Sequence, residues 1–197
     1  MVTTIDKNTA LVLIDLQKGI VGLNGAHDSK GVVANAVKLI EAFRKKNLPI
    51  IAVHVNPIGT PASKVRSQKS SFPKDDEGQK EALAKMEAAD FFTLVPELGI
   101  QPNDSVILKT TWNAFYNTGL NDELKNQNIT GIVLAGISTS IGVESTARTA
   151  NENGYNLTFV QDAMTDMVLE AHENSLTHIF PRIGEIGTTD EVIEKLG

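Results

Sequence analysis

The segment from Thr130 to Ala150, TGIVLAGISTSIGVESTARTA, limits the possible folds of this chain more than any other stretch. Its apolar run, Ile132 to Ala135, is far too short to span a membrane and rich enough in β-branched residues for a strand buried on both faces. Gly136 closes the run. Ser138, Thr139 and Ser140 follow, then Gly142 and a helix-like segment from Val143 to Asn153. A strand that passes through a small-residue turn into a helix aims backbone N–H groups and a helix N-terminus at one point, which favours an anionic or carbonyl-bearing ligand. A tight connection whose small residues only ease packing would read the same way.

The rest of the chain alternates strand and helix signals. Ala10 to Ile14 is an apolar run ending in Asp15, with Gln17 two residues on. A carboxylate at the carboxyl end of a buried strand lies where open parallel sheets bind ligands, although an Asp there can also cap a local turn. Lys18 to Gly25 reads as loop and lacks the GxGxxG dinucleotide fingerprint. Asp28 or Ser29 caps a helix with Val33, Val37, Ile40 and Phe43 on one face and a basic end at Arg44, Lys45 and Lys46. Ile50 to Val55 is a second strand; His54 has no acid or second histidine at metal-ligand spacing, so it reads as a hydrogen-bonded structural residue. Asn56 to Asp76 is a long polar segment containing Arg66, of a length that suits a lid or an interaction surface. The acidic run Asp75 to Glu77 suits a solvated helix start, Gln79 to Met86 is helical, and Phe91, Phe92 and Leu94 read as core anchors.

Ser105 to Leu108 is a third strand ending on Lys109. An unpaired buried ammonium is costly, so Lys109 needs a carboxylate; Asp15 ends the first strand in the same sense, and the two together could hold a proton. Trp112, Phe115 and Tyr116 supply apolar walls. Leu120 to Asn126 is a short helix, Leu157 to Val160 a strand ending at Asp162, Ala171 to Phe180 a helix, Ile183 to Ile186 a last strand and Thr189 to Leu196 a closing helix. Six strands with helical crossovers imply one doubly wound α/β sheet and a single domain over residues 1–197.

Composition removes several function classes. The net charge is −6 with no basic run, so nucleic acid and anionic membranes are not expected partners. The N-terminus has no basic segment followed by an apolar one, and a cytoplasmic protein is expected. The chain has no cysteine, which removes disulfides, thiolate metal sites and a cysteine nucleophile. No metal site and no cofactor are expected.

Three segments, LIDLQ at 13–17, LKTTWNAF at 108–115 and AGISTSIGVESTARTA at 135–150, resemble the isochorismatase-like (cysteine hydrolase) superfamily in order and spacing, over about residues 9–195. The resemblance implies a three-layer α/β/α sandwich with a six-stranded, mostly parallel sheet, a homodimer or larger homo-oligomer, and a small-molecule substrate. Amidohydrolases of this superfamily use an Asp as base, a Lys that stabilises developing charge and a Cys nucleophile. Asp15 and Lys109 match the first two, and Gly142 stands at the Cys position. By position, the resemblance implies a cis peptide at Ile137–Ser138, an oxyanion-hole-like pocket of N–H groups near Ser138 and Gly142, and substrate contacts from Gln17, Trp112, Phe115, Ser138, Thr139 and Ile141. Glycine excludes thioester chemistry at 142. True isochorismatases also resemble this pattern, carry glycine there and cleave a vinyl ether without a thiol, although VESTARTA at 143–150 is more similar to the cysteine-hydrolase branch. The expected activity is hydrolysis of a small carboxylate-bearing substrate by Asp15 and Lys109. The alternative is an inactive relative that keeps the pocket as a binding or scaffold protein.

Overall fold

In the computed structural model, which describes residues 1–68 and 72–196, six strands form one parallel sheet in the order β3-β2-β1-β4-β5-β6. The elements run β1 (Thr9–Ile14), α1 (Lys18–Val21), α2 (Ser29–Lys45), β2 (Ile50–Val55), α3 (Pro61–Lys64), α4 (Asp76–Ala88), β3 (Ser105–Lys109), α5 (Leu120–Asn126), β4 (Gly131–Ile137), α6 (Glu144–Glu152), β5 (Asn156–Thr165), α7 (Leu169–Asn174), β6 (Glu185–Gly187) and α8 (Thr189–Lys195). The order reverses between β1 and β4, and such switch points open a crevice at the carboxyl ends of the strands.

β1 and β4 are buried along their whole length because helices cover both faces. On one face, Leu11, Leu13 and Val133 pack with Val32, Leu39, Ile40 and Phe43 of α2 and Val192 of α8. On the other, Val12, Ile14 and Leu134 pack with Leu120 and Leu124 of α5 and Ala147 and Ala150 of α6. Phe159 stacks on Phe180 with ring centroids 3.9 Å apart in that second layer. Asp28 supplies the α2 cap, accepting from the Lys30 N–H.

Several sequence expectations are corrected. Lys18 to Val21 is a short helix, not loop. The segment after Asn56 contains α3, and α4 begins at Asp76 under an Asp75 cap; residues 69–71 of that segment lie outside the described residues. Phe91 and Phe92 are half-buried in an edge-to-face pair, not core anchors. β3 is an edge strand with Val106 and Leu108 about half exposed, so only its Ile107–Lys109 side joins the interior. β5 does not end near Asp162: an irregularity in its pairing with β4 lets it continue to Thr165. The expected 171–180 helix divides into α7, a π-type turn at 175–179 and a 3-10 turn at 180–182.

Candidate active site

Asp15 follows β1 directly, with a left-handed backbone (φ 53°) that few non-glycine residues adopt, and its N–H donates to Val53 O of β2 at 2.9 Å. Its side chain thereby leaves the sheet at the β1/β4 switch point. Lys109 ends β3, separated from β1 by β2, a spacing of about 10 Å that a long side chain must cross. Its Nζ lies 2.7 Å from Asp15 Oδ2 and donates to Thr111 O at 3.0 Å. Both side chains are almost fully buried, Lys109 at 1% exposure and Asp15 at 6%. Asp15 Oδ1 is buried with no hydrogen-bond partner among the described residues.

Burial and the neighbouring ammonium compete over this carboxyl group. A carboxylate this close to an ammonium is ordinarily held low, but burial outweighs Lys109 here and pushes Asp15 up from 3.8 to about 6. Only one of its two oxygens meets a donor, so ionisation is poorly compensated.

The third component comes from β4. Gly136 (φ 125°) carries β4 so close to β1 that a Cβ would lie 2.0 Å from Ile14 O; only glycine fits. The Ile137–Ser138 peptide is cis, as the resemblance implies, and residues 139–143 form a π-type turn into α6. A Cβ built at Gly142 would lie 3.2 Å from Asp15 Oδ2, 3.7 Å from Lys109 Nζ and 2.8 Å from Ile14 Cγ2. Asp15, Lys109 and Gly142 therefore converge, although they lie far apart in the chain.

The other sequence candidates are placed differently. Gln17 is fully buried; its amide donates to Val55 O (3.1 Å) and Phe91 O (3.4 Å) and accepts from Val55 N–H (2.8 Å). The backbone thus already occupies it. Trp112 is 66% exposed and projects outward, while Phe115 is half-buried against Tyr155. Thr139 is buried on His172, whereas Ser138 and Ile141 stay partly accessible. The Ile141 and Val143 N–H groups turn back to Ser138 O, each at 3.2 Å. His54 donates through Nδ1 to Phe92 O (3.2 Å), and Arg66 is exposed. Asp166 and His172, which hold the turn, were not evident from sequence, since no local spacing marks them. Among the described residues no three His, Asp or Glu side chains converge as a metal site, and no helix is long and apolar enough to cross a membrane.

The Isochorismatase domain matches residues 9–191. The chain belongs to the isochorismatase family. Among its family relatives, it is 44% identical over 191 residues to the uncharacterized isochorismatase family protein YwoC of Bacillus subtilis, covering 96% of this chain and 95% of that one. It is 30% identical over 179 residues to the ureidoacrylate amidohydrolase RutB of Agrobacterium fabrum, covering 82% of this chain and 78% of that one. A solved isochorismatase family protein from Burkholderia thailandensis superposes with a TM-score of 0.83 at 38% identity, covering 98% of this chain and 97% of that one. The six-stranded α/β architecture is thus the family's own.

Proposed function

We propose that this isochorismatase-family chain is a thiol-independent hydrolase that cleaves a small carboxylate-bearing vinyl ether, with Asp15 as the acid and Lys109 as its partner. The observation that carries this reading is Asp15 Oδ1, buried and unpartnered while Lys109 holds Oδ2. A carboxyl group pushed up to about 6 is protonated in roughly one molecule in ten at pH 7, and a bound anionic substrate raises that share. Glycine stands at 142, the position to which the resemblance assigns the cysteine nucleophile, so the reaction forms no covalent intermediate there.

Asp15 transfers its proton to the terminal carbon of the enol ether, leaving an oxocarbenium ion. Water adds to the cationic carbon that bears the ether oxygen and returns a proton to Asp15. The resulting hemiketal then breaks its bond to the ether oxygen while the hydroxyl proton passes to that oxygen, releasing an alcohol and a 2-oxo acid. Lys109 offers three N–H donors, of which Asp15 and Thr111 engage two; the third is available to the substrate carboxylate. The partly accessible Ser138 and Ile141 border the same turn. The resemblance further implies a homodimer or larger homo-oligomer, and the cysteine-free sequence suits a cytoplasmic one.

The absence of a nucleophile also favours a second reading, a binding protein that keeps the pocket. One assay separates them: pyruvate release from isochorismate by the protein and by Asp15→Asn, with Gly142→Cys offered nicotinamide and other small amides alongside. Pyruvate release that disappears in Asp15→Asn, with kcat/KM falling above about pH 6, supports the hydrolase. Stoichiometric binding without turnover, or amide hydrolysis only in Gly142→Cys, removes it.

A further inference from the structure

The turn that carries Gly142 is gripped by side chains that take no part in the chemistry above. Asp166, 2% exposed just after β5, accepts from the Ser140 N–H and from Ser140 Oγ, both at 2.8 Å, and through its other oxygen from the Val168 N–H at 3.3 Å. His172, 5% exposed on α7, has Nδ1 2.8 Å from the hydroxyl of the fully buried Thr139. His27 backs it, with ring centroids 4.8 Å apart, and is itself 3.0 Å from Thr165 Oγ1. Burial, with His27 adding to it, holds His172 below the usual histidine range against the opposing pull of Asp166 and Glu173, so the neutral ring is the partner Thr139 meets.

A tight βα connection can satisfy its polar groups with backbone and water. This one instead spends two buried ionisable side chains on consecutive turn residues, each from a different element. Buried polar groups are costly unless paired, and a paired set restricts its members to one arrangement. The arrangement restricted here is the position of the turn against Asp15, since Gly142 lies only two residues beyond Ser140.

We infer that Asp166 and His172 are positioning residues for the site: acting through Ser140 and Thr139, they set how closely the 138–143 turn covers Asp15. The inference deepens the hydrolase reading above and takes the site from it. When the grip is loosened, the turn lifts and water reaches the carboxyl group. The burial that raises Asp15 is then partly lost.

The test follows Asp15 itself. Its side-chain carboxyl is titrated by ¹³C NMR in the full chain and in Thr139→Val, Ser140→Ala, Asp166→Asn, His172→Leu and His172→Gln. Thermal unfolding shows which variants remain folded, and pyruvate release is measured in parallel. Thr139→Val and Ser140→Ala are the mildest changes and keep the test open if the buried substitutions fail to fold. In folded variants the Asp15 midpoint drops from about 6 toward 3.8. Turnover falls on the order of 100-fold with KM less affected, as misplacement of a reacting group produces. His172→Gln, whose amide can still bond Thr139, restores most of both relative to His172→Leu. An Asp15 midpoint unchanged in folded Thr139→Val and Ser140→Ala overturns the inference, as does an ordinary midpoint in the unaltered protein. If the protein releases no pyruvate but these variants shift Asp15, the hydrolase reading fails and the positioning role stands.

Discussion

Replacing Asp15 by asparagine removes one titrating group from the interior while nearly preserving its shape, and stability as a function of pH then reports what the fold does to that carboxyl. In the folded chain burial outweighs Lys109 and puts Asp15 at about 6, against an ordinary 3.8 in the unfolded chain. Between those values the folded state keeps a proton that the unfolded state has released. Stability from this group is therefore complete at low pH, falls as pH rises through the interval, and levels off above it. At about 1.4 kcal/mol per pH unit the loss is about 3 kcal/mol. Asp76 and Asp90, held low by Lys64 and Lys18, contribute the opposite slope, losing stability as pH falls, but do so in both proteins. They cancel in the difference. Urea unfolding of both proteins from about pH 4 to about pH 7 spans most of that interval and should show Asp15→Asn gaining about 2 kcal/mol relative to the parent as pH rises, with unchanged m-values. Parallel curves would refute the burial argument. A difference sloping the other way would mean that the Lys109 ion pair wins, and that the resting Asp15 is a carboxylate unsuited to donate a proton.

Three further outcomes follow from the packing. Gly136→Ala places a Cβ 2.0 Å from Ile14 O at φ 125°, so a loss above about 4 kcal/mol and an insoluble or unfolded product are expected; a soluble variant melting near the parent would contradict this. Gly142→Ala and Gly142→Cys both meet Ile14 Cγ2 at 2.8 Å and should lose a similar 1–3 kcal/mol or so in chemical denaturation, because the Cβ and not the thiol is responsible. Gln17→Ala strips hydrogen bonds from Val55 and Phe91, costing about 2–3 kcal/mol and lowering Tm by about 4–12 °C in a thermal melt.

The strands were legible because each central one is a local run of apolar, β-branched residues; β1, β2 and β4 needed no knowledge of their neighbours. Asp15 and Lys109 could be paired in advance because both stand at carboxyl ends of parallel strands and a buried ammonium demands a partner. Gln17 and Trp112 show where such reasoning stops. Each lies within three residues of a strand end, near Asp15 or Lys109, yet Gln17 folds back onto β2 and Trp112 points to solvent, a choice made by chain segments distant in sequence. Asp166 and His172 act on residues 26 and 33 positions away, a separation that carries no periodic signal. The apolar pattern of β5 predicts too short a strand because Gln161 and Asp162 interrupt it, whereas the pairing irregularity absorbs the interruption and lets the strand resume at Ala163.

The amide of Gln17 is a peptide group in miniature. By giving and receiving one hydrogen bond each with Val55, it adds a rung to the β1–β2 ladder after the main chain of β1 has turned away. The seam between those strands is thereby zipped beyond the last true strand residue. On the opposite side of β1 the crossovers diverge in direction, and no comparable rung extends the β1–β4 seam past Ile14 and Gly136 among the described residues. A molecule approaching Asp15 thus meets a joint sealed by a side chain toward β2 and the 138–143 turn toward β4, two unlike walls that give the site a handedness before any ligand is bound.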